Sequence, residues 1–475
     1  MGIRMRIGRR LCTWAAMTIV QLTAVLLAPS VHAETKLIAI GSISGTYEDL
    51  AVETAAPLEN GIPGNRLGGI GSGLTHAGGN LFLALPDRGP NAKPYNSAVD
   101  DTASYIPRFH TLSLSLAPSD PGAVLPFVLT PMLLDTTLLS SRAPLVYGTG
   151  AGVGLGSGAP ALNATDHTHY FTGRSDNFDP NRLSTHPFNA RLDPEGIRVS
   201  NDGRRVYVSD EYGPYVYEFD RRSGTRLRAF AMPNNLAVSH SSAVGNDEIT
   251  GNTSGRVANK GMEGLAITPD GRTLVGIMQA ALIQDGGSIV RIVTIDVFTG
   301  RTHQYAYPLT TGSGVSEILA INGHEFLVDE RDGKGLGDGS AAAVKQLFRI
   351  DLASATDVSQ VAGATNLAPL AVAKTLFLDV VKALTANGIT TIRIPAKIEG
   401  ISFGPDVTIN GAAKHTLFIA NDNDFTAATV DKNGVLADNP NQFFVFAFDD
   451  SDLPGYVAQR FAIDRDDDHG HDDGR

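Results

Sequence analysis

A strand entry built around one acidic residue recurs along this chain, and the recurrence limits the fold more than any other feature. It reads Asp193-Pro194-Glu195-Gly196-Ile197, then Gly261-Met262-Glu263-Gly264-Leu265, then Val315-Ser316-Glu317-Ile318-Leu319, then Lys397-Ile398-Glu399-Gly400-Ile401. The first three copies pass through turns at Asn201-Asp202-Gly203, Pro269-Asp270-Gly271 and Asn322-Gly323 into short β-rich runs. The fourth leads to Thr416–Asn421 and Phe443–Asp449, and a degenerate fifth copy, 68–74, precedes Asn80–Pro86 and His110–Leu116. Short apolar runs bounded by Gly, Pro and Asn turns are the pattern of an all-β chain. One small sheet cannot bury both faces, whereas a ring of sheets can, so the period predicts a β-propeller of five or six blades. The strand near Lys36–Ile43 is expected to pair with the last repeat and close the ring. Residues 135–190 match no repeat and are either a long insertion over one face or an irregular sixth blade. One helix is expected, Leu376–Ala386, ending at Asn387-Gly388.

The amino terminus carries Arg4, Arg6, Arg9 and Arg10, an apolar run from Leu11 to Leu27, and Val31-His32-Ala33. Charge, apolar core and a small-x-small end read as a secretory signal peptide over 1–33, either general or twin-arginine in route, since Leu11 and Cys12 fit the latter poorly. Its removal takes away Cys12, the single cysteine, so no disulfide is available and stability rests on the core or on bound metal. The formal charge of −12 becomes more negative when those arginines leave. Such a charge argues against nucleic acid and anionic membranes as partners, and no later segment is apolar enough to insert in a bilayer. Residues 464–475, acidic with His469 and His471, read as a disordered tail, leaving 34–463 for the propeller.

The innermost strand of each propeller blade lines the channel, so the repeated entry would gather Glu195, Glu263, Glu317 and Glu399 around one axis. The alternative is that each carboxylate bonds the backbone of the next blade. Carboxylates crowded without cations repel, which favours a metal or a basic partner. Second strands end in further polar groups: Asp87-Arg88-Gly89-Pro90-Asn91, Asp210-Glu211, Asp329-Glu330-Arg331-Asp332 and Asn421-Asp422-Asn423-Asp424. Oxygen ligands of this kind suit Ca²⁺ or another hard divalent cation, and Arg88 and Arg331 present forks for phosphate or carboxylate. Lys260 and Lys397 add positive charge or neutralise the ring. Serine-hydrolase elbows, zincin helices, P-loops and cysteine zinc sites are absent from the sequence. Asp166-His167-Thr168-His169 has ligand-like spacing but sits in a Gly- and Asn-rich loop and reads as solvated surface.

Taken together, D-R-G-P-N at 87–91, D-P-E-G-I at 193–197, S-D-E-Y-G-P at 209–214, N-K-G-M-E-G-L at 259–265, D-E-R at 329–331, K-I-E-G-I at 397–401 and N-D-N-D-F at 421–425 give a resemblance covering most of the chain. It resembles the phytase-like family, also called the esterase-like activity of phytase family. The resemblance implies a secreted or periplasmic propeller whose acidic positions serve phosphoester hydrolysis; residues 135–190 depart most from it.

The expectation is a metal-dependent phosphoester hydrolase acting on a small molecule as a monomer. Its candidate catalytic carboxyls are Glu195, Glu263, Glu399, Asp210 and Glu211. Candidate substrate contacts are Asp87, Arg88, Asn91, Lys260, Glu330, Arg331 and Lys397. Candidate metal ligands are Glu195, Glu263, Glu317, Glu399, Asn421, Asp422 and Asp424. A Ca²⁺-dependent lactonase or esterase would use the same residues, and a non-catalytic binding propeller of the cell envelope is the third reading.

Overall fold

The computed structural model describes residues 1–2, 35–93, 101–150, 154–164, 167–213, 215–310, 312–430 and 436–462. The expected signal peptide, apart from its first two residues, and the acidic tail lie outside the described residues, as does Asp166.

Alternating apolar residues and tight turns fold into five four-stranded antiparallel sheets. From the axis outward, blade 1 comprises Gly73–His76, Leu81–Leu85, Arg108–Pro118 and Phe127–Leu138. Blade 2 comprises Pro194–Val199, Arg205–Asp210, Tyr215–Asp220 and Arg226–Phe230, and blade 3 comprises Met262–Ile267, Thr273–Met278, Ile289–Asp296 and Thr302–Pro308. Blade 4 holds Gly314–Ala320, Glu325–Arg331, Lys345–Asp351 and Lys374–Asp379. Blade 5 holds Lys397–Ile409, Ala412–Asp422 and Asn441–Phe448, and its outermost strand is Lys36–Ile43 from the other end of the chain. Each innermost strand contacts the next, including the last with the first, so the all-β ring expected from the repeats has five blades and is closed by the N-terminal strand.

The core lies between blades. Leu83, Leu85, Ile197 and Val208 join blades 1 and 2; Leu327, Leu347, Ile398 and Ile401 join blades 4 and 5. Leu74, Phe82, Phe418 and Val445 join blade 5 to blade 1. Each such side chain contributes about 1.5–3 kcal/mol when fully buried, and an isolated blade would forfeit both of its seams.

Two local departures matter. Leu376–Asp379 belongs to the outer strand of blade 4, because its backbone is paired with Lys345–Asp351. The expected helix is therefore only Val380–Ala386, started where Asp379 accepts a bond from Lys382 N (3.0 Å) and ended at Asn387, with Gly388 at φ +84°. Between blades 1 and 2, the described residues contribute a two-residue ladder, Ser140–Ser141 with His169–Tyr170. Buried Arg174 ties this region together through Asp176 (2.9 and 2.8 Å) and the Gly156 carbonyl (3.0 Å). A Cβ on Gly173 would fall 1.7 Å from the Arg88 carbonyl, so glycine lets the insertion press directly against the strand end that carries Arg88. Among the described residues no helix is long and apolar enough to cross a membrane.

Candidate functional site

Glycine after the repeated glutamate has a packing cause. A Cβ on Gly264 would lie 2.7 Å from Glu317 Cα, and one on Gly196 would lie 2.7 Å from Leu265 N, so only glycine lets neighbouring inner strands approach this closely. The glutamate itself sits in a β-bulge. The ladder slips between Pro194 and Ile197, between Met262 and Gly264, and between Ile398 and Ile401. A bulge re-aims the extra residue, here delivering Glu195, Glu263 and Glu399 to one mouth of the channel.

That mouth is a cavity of about 630 Å³. It collects Asp87, Arg88, Asn91, Glu195, Glu211, Lys260, Glu263, Arg331, Lys397, Glu399, Asp422 and Asp424 from all five blades and their loops. Further along the inner strand of blade 2, Arg198 spans the channel, donating to Leu74 O (2.8 Å) and Ile318 O (2.9 Å) and pairing with Glu317 (3.0 Å).

Four candidates lie elsewhere. In blade 4 the register slips between Val315 and Glu317, placing the bulge on Ser316 and leaving Glu317 paired with Asp329. Glu317 is wholly buried, accepts bonds from Leu265 N (2.8 Å) and Ile318 N (2.9 Å), and holds Arg198. It is thus a structural anchor across blades, the alternative raised for the whole repeat. Asp210 accepts bonds from Asp193 N and Tyr212 N (both 3.1 Å) and shapes the loop beneath the site. Glu330 is occupied by Tyr307 Oη (2.5 Å), Thr310 N (3.1 Å), Ser313 Oγ (3.0 Å) and Lys374. Asn421 uses its Oδ1 to receive Gln442 N (2.6 Å) within blade 5.

Several residues at or beneath the mouth escaped the sequence reading. Gln279 directly follows the second strand of blade 3, at the position that is charged in the other blades, and donates to Glu263 Oε1 (2.8 Å). Asn259 precedes Lys260 at φ +53°, and its buried Oδ1 has no hydrogen-bond partner among the described residues. Asp193 opens the blade 2 repeat, is fully buried, and receives Arg88 N (3.1 Å) and the Arg88 guanidinium (3.3 Å). Leu336, Gly337 and Asp338 reach the mouth from a glycine-rich loop that carried no sequence signal.

Most of the basic groups are already engaged. Arg331 is bonded to Glu399 and lies 4.0 Å from Glu263; although burial opposes its charge, the two carboxylates hold its pKa above the ordinary value. Lys397 joins Asp422 (2.8 Å) and Asp424, and their charge outweighs its burial and raises its pKa well above normal. Glu263 is pushed up to about 8 by burial and then by the charge of Glu399. Burial, then the neighbouring Glu263 and Asp193, raises Glu195 well above the carboxylate range, and burial raises Asp87 to about 7.

Two carboxylate triads stand in the mouth, each with oxygens within 4.8 Å of one another: Asp87, Asp422 and Asp424, and Asp193, Glu195 and Glu211. The Lys397 ammonium already serves the first. In the second, Glu195 accepts no hydrogen bond among the described residues, and nearby Glu263 Oε2 is buried without a partner. Buried carboxyl oxygens left without donors are costly, and a hard divalent cation with oxygen ligands would satisfy them. The second triad fits such an ion.

Residues 65–425 match the family described as Phytase-like: Esterase-like activity of phytase. A protein from Arthroderma benhamiae, described as an uncharacterized secreted protein, is 34% identical over 177 residues, 30% of this chain and 34% of that protein. The match therefore spans about a third of that relative's length. Among solved structures, the periplasmic gluconolactonase of Pseudomonas aeruginosa aligns at 13% identity and TM-score 0.30 over 80% of this chain and 89% of that one. An exo-β-1,3-galactanase of Phanerochaete chrysosporium aligns at 9% identity and TM-score 0.36, covering 89% of this chain and 66% of that chain.

Proposed function

The chain belongs to the esterase-like activity of phytase family, and on that premise we propose that its acidic mouth hydrolyses phosphoesters with a divalent cation such as Ca²⁺. The observation that carries this reading is the buried Glu195 carboxyl, which accepts no hydrogen bond among the described residues and lies in a carboxylate triad whose oxygens are within 4.8 Å of one another. Asp193, Glu195 and Glu211 would hold the ion. When bound, it would polarise the ester and lower the pKa of a water.

The protein groups have separable tasks. Glu263, its pKa raised to about 8, would deliver its carboxyl proton to the leaving oxygen as the ester bond breaks and a water oxygen bonds to phosphorus, the water's proton then restoring Glu263. Gln279 holds the other oxygen of Glu263 in place. Arg331, oriented by Glu399, would face the charge that develops on the transferred group. Arg88, expected to share that work, is instead bonded to Asp193 and would steady the ion's ligands.

A carboxylic ester or lactone is the second reading. It is favoured by one feature: Arg88, Arg331 and Lys397 are engaged by carboxylates, so the mouth offers little uncommitted positive charge to a phosphate. Export agrees with the basic, apolar and small-residue start of the chain and with the secreted description of the relative.

The test is turnover of p-nitrophenyl phosphate, bis-p-nitrophenyl phosphate and a lactone by the mature chain, chelated and then resupplied with Ca²⁺. Ca²⁺-dependent phosphoester turnover, reduced at least about 100-fold in Glu263→Gln, is expected. Lactone turnover alone would select the second reading. No turnover, with Ca²⁺ still raising the melting temperature, would make the protein a metal-stabilised binding propeller.

A further inference from the structure

We propose that the mouth is selective for a substrate carrying a single negative charge, with Lys260 as the group that receives it, and that it rejects polyanions. This rests on the reading of the mouth as an ester site. Among the described residues, eight carboxyl side chains line the cavity against four basic ones. Arg88 pairs with Asp193, Arg331 with Glu399, and Lys397 with Asp422 and Asp424. Lys260 is the exception: it is exposed at the rim and has no acidic partner among the described residues.

Its position is built by the chain. The bridge between Val257 and Lys260 closes a tight turn, and Asn259 takes the left-handed conformation needed to complete it. The Asn259 side chain also lines the cavity, with a buried oxygen that has no partner among the described residues, so the adjacent pair offers an ammonium for an anionic oxygen and an acceptor for a hydroxyl. A second phosphate would therefore meet Asp87, Asp424 or Asp338 with no cation to spare, and like charges at such distances repel strongly. A phosphodiester, or an ester bearing one carboxylate, matches this supply of charge.

Binding separates this proposal from the hydrolase reading. Dimethyl phosphate, methyl phosphate and glucose 1,6-bisphosphate are titrated against the mature chain in Ca²⁺ and followed by phosphorus NMR. Affinity is expected to fall along that series. Lys260→Ala should weaken dimethyl phosphate about tenfold, the loss of one charged contact, with Lys260→Arg retaining most of it and Ca²⁺ stabilisation unchanged. Tightest binding of the bisphosphate, no binding of any of the three, or indifference of dimethyl phosphate to Lys260→Ala would each overturn the proposal. Absent turnover with these affinities intact would instead sink hydrolysis and leave the selectivity standing.

Discussion

Blades 3 and 4 begin with the same repeat and put its glutamate to opposite uses. Glu263 is the bulged residue of its strand and opens into the mouth; Glu317 is in register and wholly buried, its Oε1 held by two backbone amides and its Oε2 ion-paired with Arg198 (3.0 Å). The local difference is small. Blade 3 has Gly264 after its glutamate and blade 4 has Ile318, and the bulge in blade 4 falls one residue earlier, on Ser316. A one-residue shift in a strand reverses which way a side chain points, so one position in the repeat becomes a carboxyl facing the mouth in one blade and a brace in the next. The brace also makes the opening possible: Glu317 receives the backbone of blade 3 directly beyond Glu263, at Leu265.

The largest expected effect breaks the brace. Glu317→Ala strands Arg198 in the channel and leaves Leu265 N unpaired, and should cost about 3–5 kcal/mol in urea unfolding, whereas Glu263→Gln should be neutral or stabilising in chelator. Equal losses from the two variants would erase the distinction between the blades.

The next effect concerns pH. Asp87, Asp210 and Glu317 are raised to about 7 and Glu263 to about 8, so each favours its protonated form in the folded state. The stability they contribute is fully present below the pKa values of the unfolded chain, near 4, and is lost as pH rises through 7 to 8. In chelator, the melting temperature should fall by a few degrees or more between pH 5 and 8.5, and Ca²⁺ should flatten that fall by compensating the ionised carboxylates at the mouth. A metal-free protein that grows more stable toward pH 8.5 would show that these groups are neutralised from within.

The smallest effect sharpens the picture of Glu263 itself. Gln279→Leu removes the one hydrogen-bond donor that reaches its carboxyl among the described residues and should change stability by about 1 kcal/mol or less. Because that donor favours the ionised carboxylate, its loss should move the alkaline limb of the pH–activity profile upward. An unmoved limb would mean that Glu263 does not set it.

Much of the fold was legible because it is periodic. Turns at Gly203 and Gly271 adopt the positive φ that their Asp-Gly sequences suggest, and five copies of one pattern predicted the blades that form. Reading a helix from Leu376 failed because strand pairing along blade 4 is a long-range contact, invisible to local spacing. Within the site, the acidic repeats led to one shared mouth through Glu195, Glu263 and Glu399. They did not reveal Gln279, whose role lies in its place within the repeat, or Leu336 and Asp338, which arrive on a loop of no distinctive sequence.

By itself the sequence determined a closed ring of β-blades with acidic strand entries, because period, turn chemistry and alternation act locally and repeat. Only the tertiary structure decided which carboxylates are available for chemistry. That depends on where each bulge falls and on which cation from a neighbouring blade lies within reach: Arg198 claims Glu317, Arg331 claims Glu399, Lys397 claims Asp422, and no described donor reaches Glu195. Hydrogen bonds and ion pairs act over a few ångströms in space, and in a propeller the groups within that range come from strands far apart in the chain.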